Sequence, residues 1–335
     1  MTTTAVRTTA PVSRSRSREY AGLAAAAAIV LALATASMFV GVSDVSLPAL
    51  LAGDPAAVEI FWVSRVPRTL AVVLAGMAVA VAGLIMQLMA RNRFVEPSTV
   101  GTVESATLGI LVVTVAVPTA PILLRMGVAS VFAVLGTALF LAVLRRLPTR
   151  NTLLIPLVGI MLGGVIGAIT TFFAYRYDLL QTLSNWMIGD FSGVLRGRYE
   201  LLWIVAALML VGLVAADRFT VAGMGEDFTT NLGLNYNVTM RLGLIIVSLI
   251  SAVVVATVGA VPFLGLVVPN IVSLLFGDNL RRAVPWTALF GAGFVLVCDI
   301  IGRTIRYPYE VPVGMVMAVV GAILFLILIL RKRNA

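Results

Sequence analysis

The stretch LAVVLAGMAVAVAGLIMQLM, residues 70–89, decides the fold. It holds no charged residue, and at 1.5 Å of helical rise per residue it is long enough to cross a hydrocarbon layer of about 30 Å. In lipid every backbone N–H and C=O must be paired within the segment, so such a run becomes a helix. Nine further apolar runs lie around it, at 20–42, 99–117, 128–144, 153–175, 201–216, 242–261, 263–276, 284–301 and 311–330. The chain of 335 residues is 60% hydrophobic and only 12% charged, which leaves little for a domain outside the membrane. The expected fold is all-α: a polytopic membrane protein of about ten transmembrane helices, forming one domain over residues 20–335.

Two of the runs are weaker than the rest. The run 99–117 contains Glu104, and 263–276 is short, is interrupted by Gly265 and Pro269, and is a candidate re-entrant segment. Residues 1–19, with Arg7, Arg14, Arg16 and Arg18 and no apolar period, read as a disordered basic arm. Ala32-Leu33-Ala34 resembles a signal-peptidase site, but the apolar stretch is longer than the roughly 7–15 residues of a signal core, so the first span is read as retained. Placing the N-terminus in the cytoplasm puts the densest basic loops on that side: Arg91 and Arg93, then Arg145, Arg146 and Arg150, then Arg218 and Arg241, then Arg281 and Arg282, then the tail Arg331-Lys332-Arg333. Ten spans with both termini cytoplasmic satisfy the positive-inside rule.

Absent residues exclude several functions. There is no histidine and one cysteine, Cys298, so a disulfide and the usual zinc and haem ligand sets are ruled out within one chain; any metal must arrive already chelated. Lys332 is the only lysine, so no P-loop can form, and no H-E-x-x-H, G-x-S-x-G or Cys-x-x-Cys motif is present. No catalytic residue, no metal site and no directly bound cofactor is expected. The net charge of +9 is spread as punctuation between apolar runs and forms no stripe interleaved with aromatics, which argues against nucleic acid.

What remains polar is informative. Arg65-Val66-Pro67-Arg68-Thr69 places two arginines at the mouth of the second span, and Arg303 and Arg306 end the ninth on the same, outer face. Outer cations oppose the topology rule, so they are candidates for gripping carboxylates of an acidic partner, with snorkelling to lipid phosphates as the plainer reading. Asp299 stands four residues before Arg303, a spacing that lets the two pair on one helix. Glu104 has no local partner and is the better candidate for a functional intramembrane carboxylate. The stretch 217–239 is the longest polar loop; Met224-Gly225-Glu226-Asp227-Phe228 leading to Leu232-Gly233 predicts a short helix closed by glycine, suited to docking into a groove on a soluble partner. Gly159, Gly163 and Gly167 recur every four residues and let another backbone approach, from a neighbouring span or a second subunit.

Together these pieces resemble the FecCD-type permeases, the large ten-span permeases of ABC importers for siderophores, haem and vitamin B12. The resemblance covers about residues 60–333 and rests on RVPRT (65–69), Gly76 to Gly83, RNRFVEPS (91–98), VGAVPFLGLVVPN (258–270), Gly277-Asp278, Asp299 to Arg303 and EVPVG (310–314). Where the family often has His after the proline, this chain has Asn270. With Gly277-Asp278-Asn279 and YPYEVP (307–312), that resembles a subgroup importing iron-catecholate siderophores of the petrobactin type. The resemblance implies a permease in a bacterial plasma membrane, paired with an identical or related second permease, two ATP-binding cassette subunits that carry the ATP, and an extracytoplasmic binding protein. It implies that Arg65, Arg68 and Arg303, with Arg306 beside them, meet glutamates of that binding protein. It further implies that the helix around Gly225, Glu226, Asp227, Leu232 and Gly233 couples to the ATPase, and that Asn92, Asn151 and Thr152 belong to inner gates. The rival expectation, a proton-coupled secondary transporter, would need more titratable groups in the membrane than Glu104 and Asp299.

Overall fold

A computed structural model describes residues 16–41, 46–144, 146, 154–197, 199–277 and 279–333, and every regular element among them is helical. The arm up to residue 15, and Asn151 and Thr152 with it, lie outside the described residues. The α-helices in chain order are α1 (Arg16–Phe39), α2 (Leu47–Leu51), α3 (Pro55–Ile60), α4 (Val66–Met89), α5 (Thr102–Ala116), α6 (Ile122–Leu144), α7 (Leu154–Arg176) and α8 (Leu180–Met187). They continue with α9 (Leu202–Val214), α10 (Ala216–Met224), α11 (Glu226–Asn231), α12 (Tyr236–Val258), α13 (Leu264–Phe276), α14 (Leu280–Thr304) and α15 (Val313–Arg333). Each of the ten apolar runs is thus helical. By length and composition seven helices among the described residues can cross a membrane, and an eighth if α9 and α10, bent by 60° at Ala215, are taken with the turn before them as one span; α5 and α13 are apolar but shorter.

The stretch 70–89 lies at the centre. Of its apolar window 83% is buried, against 11% for α1, because α4 is apolar on all sides and is surrounded by α14, α13, α12, α9, α10 and α1. Glycines set how closely these neighbours approach. A Cβ on Gly291 would lie 2.4 Å from the Gly76 carbonyl oxygen, and one on Gly83 would lie 2.1 Å from that of Gly265, so α14 and α13 cross α4 backbone to backbone. The helix ends in a Schellman motif: the Arg91 N–H donates to Leu88 O (3.1 Å) and the Asn92 N–H to Gln87 O (3.0 Å), with Arg91 in the left-handed region at φ 48°.

The glycine row of α7 is filled from within the chain. Gly159 admits the Thr99 carbonyl, and Gly163 faces Gly101 and Glu104, so the row receives the 3₁₀ turn Pro97–Val100 and the start of α5. The opposite face of α7 leaves Ile160, Met161, Val165 and Phe172 exposed, as a surface covered by lipid or another chain must be.

The run 263–276 is a half-length helix. After α12 ends at Val258, the five residues from Gly259 (φ 83°) to Phe263 (φ 62°) return the chain to α13, which rises for 13 residues, about 20 Å. The loop after α8 supports this break: the Asp190 N–H donates to Val258 O (2.8 Å) and the Gly314 N–H to Gly189 O (2.7 Å).

Candidate functional site

At the end of the bundle where α4 begins, the predicted arginines converge, but they face inward. Arg65, Arg68 and Arg303 are 6%, 7% and 2% exposed, and Asp299 is fully buried among them. Arg68 donates from Nε and Nη2 to Asp299 Oδ1 (3.1 and 2.9 Å) and from Nη1 to Glu310 Oε2 (2.6 Å). Arg303 takes the other carboxylate oxygen, as the four-residue spacing suggested, and also donates to Ser37 Oγ, to Ser37 O (2.8 Å) and to Val40 O (2.6 Å). Arg65 donates to the same Val40 carbonyl (2.7 Å). Three guanidiniums and two carboxylates therefore lock α1, α4, α14 and the segment before α15 together. Arg65, Arg68 and Arg303 thus face inward, and Arg68 and Arg303 are held by carboxylates inside the chain. Arg306 differs: it is exposed, with its guanidinium carbon 5.8 Å from the Tyr309 ring centroid.

A second polar constellation surrounds the break before α13, and spacing alone did not reveal it. Glu96, 3% exposed, is bonded by Ser98 Oγ (2.6 Å) and by the Phe263 N–H (3.2 Å), so a carboxylate from a distant loop caps the N-terminus of α13. Anions are favoured there because the first N–H groups of a helix have no partner within it and the helix dipole is positive at that end. Pro269 lacks the N–H that would bond the carbonyl of Gly265 four residues back. Gln87, the one amide in the central stretch 70–89, donates Nε2 to that carbonyl (3.1 Å). Asn270 donates to Leu266 O and to Arg93 O, both at 2.7 Å, tying α13 to the loop 91–96. Replacing Gln87 with leucine is expected to cost about 1–3 kcal/mol by leaving a buried carbonyl unpaired, read as a lower midpoint of thermal unfolding in detergent; Gln87→Met, which removes the donor at similar length, should behave alike. The available clues were a lone amide in an apolar run and a proline inside a short helix.

Asn92, expected near a gate, is buried at the end of α4, where its Oδ1 accepts the Phe94 N–H (2.8 Å). Glu104 faces Gly163 and Gly167, and its Oε2 is buried with no hydrogen-bond partner among the described residues. Among those residues no cluster of three or more His, Cys, Asp or Glu side chains is placed to hold a metal ion.

The loop 217–239 forms two helices, α10 and α11, where one short helix was expected. Gly225 separates them at φ 127°, a conformation that favours glycine, and packs beside the Arg91 guanidinium. Thr229 Oγ1 donates to Gly225 O (2.5 Å) and to Val221 O (3.1 Å), which fixes the angle between the two helices. Gly233 (φ 77°) closes α11, with its N–H on Thr230 O and the Leu234 N–H on Thr229 O. The pair projects Glu226, Asp227, Met224, Phe228 and Leu232 from the bundle, all exposed.

A bundle of apolar helices with a broken span and a projecting helix pair is the architecture of a transport permease. The chain belongs to the FecCD transport family, whose model matches residues 24–331. A petrobactin import system permease protein of Bacillus subtilis strain 168 is 48% identical over 300 residues, covering 90% of this chain and 95% of that protein. The ferric-anguibactin transport system permease protein of Vibrio anguillarum is 42% identical, covering 89% and 95%, and a vitamin B12 import system permease of Yersinia pseudotuberculosis is 33% identical, covering 82% of each. Among solved structures, a metal-chelate type ABC transporter in an inward-facing conformation superposes with a TM-score of 0.81 at 22% identity, covering 93% of this chain and 99% of that one. The chain is a multi-pass membrane protein.

Proposed function

We propose that this chain is the permease subunit of an ABC importer that carries a ferric siderophore, of the catecholate type, across the bacterial inner membrane. The observation that supports the reading most is the 48% identity, along nearly the full length of both chains, to a permease of petrobactin import. In this reading all ten apolar helices, the half-length α13 included, act as spans, both termini lie in the cytoplasm, and the chain binds no cofactor itself. ATP is hydrolysed on two partner subunits, which grip α10 and α11. A second permease, identical or related, covers the exposed faces. The binding protein docks at the opposite end on an exposed rim that includes Arg306, while Arg65, Arg68 and Arg303 hold that rim in shape.

Reconstitution in vesicles tests this. With its partner permease, the ATPase and the binding protein, uptake of a ferric catecholate is expected to require ATP and to survive an uncoupler. Uptake that continues without the ATPase and collapses with the uncoupler would instead establish a proton-coupled secondary transporter.

A further inference from the structure

Between α1, α9 and α14, against the side of α4, the bundle leaves a groove of about 440 Å³. Its walls include Leu23 and Ala27 of α1, Met209 and Leu213 of α9, and Pro285 and Ala288 of α14, and every described side chain lining it is apolar. The groove exists because α1 carries five consecutive alanines, residues 24–28, where bulkier side chains would close it.

One helical turn beyond each wall the chain turns to charge. Arg18 and Glu19 precede Leu23, Asp217 and Arg218 follow Leu213, and Arg281 and Arg282 precede Pro285. Bonds between them show that these ends meet: Arg282 grips Glu19 with two bonds of 2.8 and 2.6 Å, and Arg281 lies 3.3 Å from Asp217. Among the described residues these four arginines pair with two acids, Glu19 and Asp217, and Arg18 and Arg218 are both exposed. At the same end the Trp286 indole stacks on Phe276 at 4.1 Å, and its Nε1, buried, has no acceptor among the described residues. An apolar slot whose three walls each lead, within about a turn, to arginines matches a lipid with an anionic headgroup. A zwitterionic headgroup would bring its own cation to the same arginines.

We propose that this groove is a binding site for an anionic phospholipid, its acyl chain between α1, α9 and α14 and its phosphate among Arg18, Arg218 and Arg281. The site follows from the helix bundle and holds whatever the transported cargo is.

The test is native mass spectrometry of the full-length chain in detergent, supplied with phosphatidylglycerol or phosphatidylcholine. Phosphatidylglycerol is expected to be retained preferentially. Arg18→Gln with Arg218→Gln should lower its retention about thirtyfold, at roughly fivefold per arginine. Ala27→Phe, which fills the slot and leaves the arginines in place, should lower retention of both lipids, and millimolar inorganic phosphate should not displace the bound lipid. Equal retention of the two lipids by the unaltered chain, unchanged retention in both variants, displacement by phosphate alone, or a second copy of the chain sealing the slot against lipid would each overturn the assignment.

Discussion

Replacing Asp299 with alanine is expected to cost about 3–5 kcal/mol of folding stability, enough to empty the membrane of most of the folded protein. Asp299 is fully buried and accepts from Arg68 and from Arg303, while Ser37 Oγ donates to it at 3.3 Å. Its removal leaves two guanidiniums in the interior with one carboxylate, Glu310, within reach of only one of them. An uncompensated buried charge is far more costly than the pair was favourable, so the loss should exceed that of Ser37→Ala, which removes one neutral partner. Thermal unfolding of purified protein, followed by fluorescence, measures it. Asp299→Asn keeps the volume and two acceptor or donor sites, and should fall between the two. An Asp299→Ala protein as stable as the parent would show that the arginines find lipid or water, and that the cluster contributes no cohesion.

The second large effect concerns assembly. Changing Phe228 and Leu232 together to aspartate should abolish co-purification of the ATPase and, with it, uptake. Both side chains are exposed, at 47% and 57%, on α11 and its capping residue, whose angle is fixed by internal bonds of Thr229 and Gly233. Substitution at such surface positions changes folding stability by no more than about 0.5 kcal/mol. At an interface, however, each lost apolar anchor costs about 2 kcal/mol, roughly thirtyfold in affinity. Quantifying the ATPase retained on tagged permease separates the two consequences. Full retention by the double variant would mean that α10 and α11 are a connector only.

Local spacing carried the sequence reading as far as local physics reaches. Ten apolar runs became ten helices, the four-residue step from Asp299 to Arg303 became an ion pair, and Gly233 closed α11, because each depends only on residues within a turn or two. The inward orientation of the arginine cluster was not legible in the sequence because what buries it is distant: Asp299 is 231 residues from Arg68, and Glu310 is 242. A motif shows that a charge lies at a helix mouth, whereas only the packing of α1 and α14 shows which way it points. Glu96 was overlooked for the same reason, since its bond to Phe263 spans 167 residues. The extra break at Gly225 escaped because glycine is a common end for a helix, whereas here its positive φ turns the chain between two of them.

The half-length α13 has a practical corollary. Its loose backbone groups are completed by Glu96, Gln87 and Asn270, drawn from two stretches of chain that are far apart in sequence. Those stretches form a single mechanical unit. A chimera that swaps residues 258–276 between two relatives without also exchanging 83–99 would mix incompatible halves of one joint, and hybrids of this architecture should be cut elsewhere.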